Sequence, residues 1–99
     1  MEDAKRFIKG KVPTTEILAG LAEECGELVQ ASLKLRRIFI KENPTPVSEE
    51  EAIENLHEEI ADVLLYIQML DVNRQYIEDI VMLKTDRWVN RIKEKEKNE

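Results

Sequence analysis

The chain has 99 residues, 36% of them charged and 5% aromatic, with three glycines, three prolines and a formal net charge of −6. That length suits one small domain, residues 1–99, with a core modest enough to favour self-association. A chain this acidic lacks the basic face that a long nucleic acid demands. The longest apolar run, Val63 to Ile67, is far too short to span a bilayer. A single cysteine, Cys25, allows no internal disulfide, and the N-terminus carries no apolar signal region, so the cytoplasm is the expected location.

The first element expected is a short helix over Glu2 to Ile8. Pro13 marks a boundary, with Thr14 or Thr15 as the cap of a long helix running to about Ile40. Along it Ile17, Leu21, Glu24, Leu28, Ala31 and Leu35 recur at helical spacing. Asn43-Pro44-Thr45-Pro46 breaks this helix, because proline donates no backbone hydrogen bond and restricts the residue before it.

Ser48-Glu49-Glu50-Glu51 is a capping-box pattern. It opens a second long helix to about Leu70, with a stripe of Ala52, Leu56, Glu59, Val63, Tyr66 and Leu70. From Ile60 onward this helix is apolar almost all round, which implies burial on several sides and partners beyond one neighbour. A short polar connection leads to a third long helix, about Gln75 to Lys95, with Ile77, Val81, Trp88 and Ile92 in line. The expected fold class is therefore all-α, three long helices and a short N-terminal one, with consecutive long helices antiparallel and the bundle completed by homo-oligomerisation.

Two carboxylate pairs stand out. Glu24 and Glu27 are three apart and share a helix face, and Glu59 and Asp62 repeat that spacing on the next helix. On an acidic chain such pairs are ordinarily solvated. Here Glu24 and Glu59 each interrupt an apolar stripe, where a carboxylate is costly unless something pairs with it. The first pair lies about 14 residues before its helix ends and the second about 12 after its helix begins, so an antiparallel hairpin sets them level to within roughly 3 Å. Four converging carboxylates either raise their pKa values or recruit a cation, and an all-oxygen set suits Mg²⁺, Mn²⁺ or Ca²⁺ better than Zn²⁺. Counting back from the next turn puts Lys84 at the same height, with Arg87 and Arg91 on its face. A metal beside basic groups is what a triphosphate requires. Ordinary helix-surface charge is the competing reading of these bases.

The segments Glu23-Glu24-Cys25-Gly26-Glu27-Leu28 and Glu58-Glu59-Ile60-Ala61-Asp62-Val63 resemble the paired E-E-x-x-E and E-x-x-D motifs of MazG-type nucleotide pyrophosphohydrolases. The resemblance runs from about Ile17 to Ile92 and takes in Lys84 and Arg91. It implies Mg²⁺, with Mn²⁺ as the alternative, on Glu24, Glu27, Glu59 and Asp62, with Glu23 and Glu58 flanking. It also implies phosphate contacts from Lys84 and Arg91, and a homodimer or dimer of dimers. The reaction implied converts a (deoxy)nucleoside triphosphate to its monophosphate and pyrophosphate, as in nucleotide-pool sanitation. Arg87 joins the phosphate-binding candidates by its shared face, and Glu24, Glu27 and Glu59 are the candidate catalytic residues. Trp88 stands where many members carry Asn, and the residues before Ile17, which shape the base pocket in many members, match weakly, leaving the base open.

Cys25 reads as a core thiol, and Trp88 as core or dimer interface more than a stacking platform. Glu54-Asn55-Leu56-His57 has E-x-x-H spacing, but a di-iron bundle wants two such motifs and the chain has one histidine. The rival to an enzyme is a non-catalytic dimeric helical interaction module whose acids form a solvated face.

Overall fold

A computed structural model describes residues 2–41 and 47–98. Four helices follow one another, α1 (Glu2–Lys11), α2 (Thr14–Ile40), α3 (Glu49–Gln68) and α4 (Arg74–Lys97), with no strand among the described residues. The all-α expectation is met.

The boundaries differ in physically readable ways. Helix α1 extends three residues past Ile8, to Lys11, with Glu2 and Asp3 in its first turn and Lys9 and Lys11 in its last, a charge order that complements the helix dipole. Helix α2 starts at Thr14 with Pro13 in the capping position, and no side chain caps it, so the threonine cap does not form. The fixed φ of proline, here −62°, starts the helix without one. At its far end Lys41 adopts the left-handed conformation (φ 53°) and returns its N–H to Arg37 and Ile38. The expected Asn43–Pro46 break lies outside the described residues. Ser48 caps α3 by accepting from the Glu51 N–H at 3.1 Å, and Asn73 caps α4 by accepting from Tyr76 at 2.9 Å.

Among the described residues the one extensive helix–helix contact is α2 against α3. Their register is antiparallel: Gly20 meets Tyr66, and Glu24, one turn further along α2, meets Asp62, one turn back along α3. The buried apolar side chains are Ile17, Ala31 and Leu35 from α2, Ala52 from α3, and Met69 just beyond it. All but Met69 belong to the two stripes, so the seam is largely the one they define. Lys9 of α1 forms an ion pair with Asp71 in the connection after α3, which ties α1 across the end of the hairpin.

Helix α4 departs from expectation. It buries no side chain, and it does not pack along α3 as an antiparallel neighbour. Val81, Trp88 and Ile92 are all more than half exposed. Leu70, Asp71 and Val72 separate the capping residues Met69 and Asn73 without fixing a crossing angle, so the brevity of the connection alone does not fold α4 back. The consequence is an extended chain: its radius of gyration is 17.9 Å, against about 13 Å for a compact domain of this length. Its accessible surface is 8363 Å², against about 5,800 Å² for a compact monomer of this mass. Ile60, Leu64 and Leu65 on α3 are likewise 40–51% exposed. Cys25 is also exposed, correcting its reading as a core thiol: position 25 turns away from the α2–α3 seam, and nothing else in the described chain covers it.

Candidate metal centre and adjoining cavity

The α2–α3 register brings three carboxylates together. One oxygen each from Glu24, Glu59 and Asp62 lies within 4.8 Å of the other two. Glu24 and Glu59 are half-buried in the seam and Asp62 is at its edge. Glu27 is exposed and stands outside this triangle, though close enough for its charge to act on both Glu24 and Glu59.

The electrostatics follow from this crowding. Desolvation by burial is the largest influence holding the Glu59 carboxyl above its ordinary value of 4.5, followed by the charges of Asp62, Glu27, Glu24 and Glu58. Glu24 is raised in the same way, by desolvation first, then by Asp62, Glu27 and Glu23, with a hydrogen bond to Asp62 adding to the shift. One oxygen of Glu59, Oε2, is buried with no hydrogen-bond partner. An orphaned buried acceptor is costly, and its natural complement is a cation or a proton. A hard divalent cation fits this set: the donors are all oxygen, they converge, and one of them lacks any protein partner.

Lys84, Arg87 and Arg91 share one face of α4 with Val81, Thr85 and Trp88. Within the single chain these bases are apart from the acids, because α4 does not lie along the α2–α3 hairpin. His57 is exposed, its Nδ1 3.0 Å from the Ile53 carbonyl oxygen, and it joins no metal-ligating cluster among the described residues.

Next to the acids is a cavity of about 450 Å³ that sequence reasoning did not anticipate. Ile8 of α1 and Val12 just beyond it wall one side, and Ile17, Leu65, Tyr66 and Met69 the other. Tyr66 lies directly on Gly20: a Cβ there would sit 2.5 Å from the ring Cζ and 2.8 Å from the hydroxyl. The absent side chain at position 20 is what admits the aromatic ring, one helical turn from Glu24. Glu16 and Glu23 complete the lining. The available signals were the apolar pair Ile8 and Val12, which needs α1 to run to Lys11, and the spacing of Glu16, Gly20 and Glu23 on one face of α2.

A family profile for the MazG nucleotide pyrophosphohydrolase domain matches residues 13–96. Comparison with curated proteins and with solved structures gave no match.

Proposed function

The chain belongs to the MazG nucleotide pyrophosphohydrolase family, and on that premise we propose that residues 1–99 form one domain that hydrolyses a (deoxy)nucleoside triphosphate to the monophosphate and pyrophosphate, with Mg²⁺ as cofactor, in nucleotide-pool sanitation. The observation that carries the metal assignment is the buried, unpartnered Oε2 of Glu59 within the Glu24–Glu59–Asp62 triangle. A merely solvated acidic face, as in a non-catalytic interaction module, has no reason to bury a carboxylate oxygen without a partner.

Glu24, Glu59 and Asp62 would hold the metal, with Glu27 at its edge. Mn²⁺ is the alternative ion for the same oxygen donors. The bound ion supplies stabilisation of phosphate charge and an activated water. In the reaction, water adds to phosphorus at the α–β anhydride and the bond to the bridging oxygen breaks. Glu27, exposed beside the triangle, would take the water's proton, with Glu24 the other candidate. Lys84, Arg87 and Arg91 neutralise the charge that grows on the departing pyrophosphate. The cavity one turn along α2 from Glu24 would receive the base, with the Tyr66 ring as a stacking surface.

This reading requires assembly. Each chain exposes about 2,500 Å² more than a compact monomer of its mass, a surplus of the size that permanent homodimers bury. A homodimer, or a dimer of dimers, would cover α4 and the outer face of α3, and would bring the bases of an α4 to an acid cluster.

A panel of ribo- and deoxynucleoside triphosphates with Mg²⁺, scored for pyrophosphate against orthophosphate, tests the reaction. Pyrophosphate and monophosphate in equal amounts are expected. Release of orthophosphate alone, or turnover of no triphosphate, would overturn the assignment.

A further inference from the structure

We infer that the cavity beside the acid cluster selects a nucleobase carrying an exocyclic amino group, with Glu16 as its hydrogen-bond acceptor and Glu23, about 10 Å away along the helix axis, at the phosphate end. The inference rests on the reading of the acid cluster as the triphosphate site, because that reading fixes which way a nucleotide lies.

Glu16, Ala19, Gly20 and Glu23 follow the i, i+3, i+4, i+7 pattern and so form one face of α2, and all four line the cavity. The Tyr66 ring fills the space over Gly20, and its aromatic surface, which lines the cavity, is what a flat base would lie against. Acidic groups stand at both ends. Among the described residues lining the cavity, the charged ones are these two glutamates. From Glu24 at the phosphate end to Glu16 is eight residues, about 12 Å along the helix axis, comparable with the length of a nucleoside. A triphosphate is repelled from the Glu16 end by its charge, so the base, the uncharged part of the substrate, goes there.

Ionised carboxylates accept hydrogen bonds and donate none. Cytosine presents an N4 amino group, adenine an N6 amino group, and guanine an amino group beside a ring N–H, all of which suit such acceptors. Uracil and thymine present a single N–H flanked by carbonyl oxygens, which face a carboxylate with like partial charge. The cavity therefore discriminates by repulsion as well as attraction.

Binding of CMP and UMP in the presence of Mg²⁺, measured by isothermal titration calorimetry on the full chain, tests this without needing turnover. The two ligands differ on one edge of the ring, where the N4 amino donor and N3 acceptor of cytosine become the O4 acceptor and N3–H donor of uracil. CMP is expected to bind on the order of tenfold or more tightly than UMP, the worth of one hydrogen bond to a charged group. In the Glu16→Gln variant, whose amide both donates and accepts, the ratio is expected to fall to within about twofold. Circular dichroism establishes that the variant remains helical. Equal binding of CMP and UMP by the unaltered chain, binding of neither, or a ratio that survives in Glu16→Gln overturns the inference. Failure of the parent reading is seen separately, as absence of pyrophosphate release from every triphosphate including CTP, and leaves this binding ratio measurable.

Discussion

Glu59→Gln is expected to reduce pyrophosphate release at least about a hundredfold while raising the melting temperature of the metal-free protein at neutral pH. The loss follows from removing a ligand, since even the partners that orient ligands are worth about 10- to 100-fold in metal affinity or activity. The gain in stability follows from the same crowding that suits the site to a cation. The native carboxyls of Glu24 and Glu59 lie above their ordinary value of 4.5, so folding favours their protonated forms. Their stabilising contribution is fully present below 4.5 and is lost as pH rises through the raised native values. At pH 7 the metal-free cluster therefore strains the fold, and glutamine at position 59 relieves it. The difference between variant and parent should shrink as pH falls towards 4.5. A variant that keeps full activity, or that melts below the parent at neutral pH without metal, contradicts this account of Glu59.

The second large effect concerns assembly. The chain is expected to run in sedimentation experiments at two or four times its 11.6 kDa, and its melting temperature should rise with protein concentration, as it does wherever folding and association are linked. Val81 is more than half exposed in the single chain and sits on the α4 face that carries Lys84 and Arg91. Val81→Asp adds a charge where an isolated chain tolerates it and an interface does not. Dissociation, loss of the concentration dependence and loss of turnover should come together. A fully active monomer at every concentration would remove the case for assembly.

Much of the α2–α3 hairpin was legible in the sequence. The stripes Ile17–Leu35 and Ala52–Leu70 name the faces that meet, and counting from the proline-containing turn set the two acid pairs level. Glu24, Glu59 and Asp62 do converge. Counting along the axis does not give the rotation of each side chain about it, which is why Glu27, on the same broad face, stands outside the triangle. The third helix was legible as a helix but not in its placement. Its stripe of Ile77, Val81, Trp88 and Ile92 says that something covers it, and periodicity does not distinguish the same chain from another copy. The cavity was hidden for a different reason: it depends on three elements at once, on α1 reaching Lys11, on the Lys9–Asp71 ion pair across the hairpin end, and on Gly20 admitting Tyr66. Family membership supplied the reaction, which the acid spacing alone leaves open.

The most direct test of the central claim, that this acid cluster is a divalent metal site, is thermal unfolding of the full chain with and without Mg²⁺ at neutral pH. A metal that binds only the native state at about a hundred times its Kd contributes about 2.7 kcal/mol, which raises the midpoint of a chain this size by on the order of 10 °C. The account predicts that rise for the native sequence and its absence in Glu59→Gln. An unchanged midpoint for the native sequence at millimolar Mg²⁺ and Mn²⁺ would contradict it.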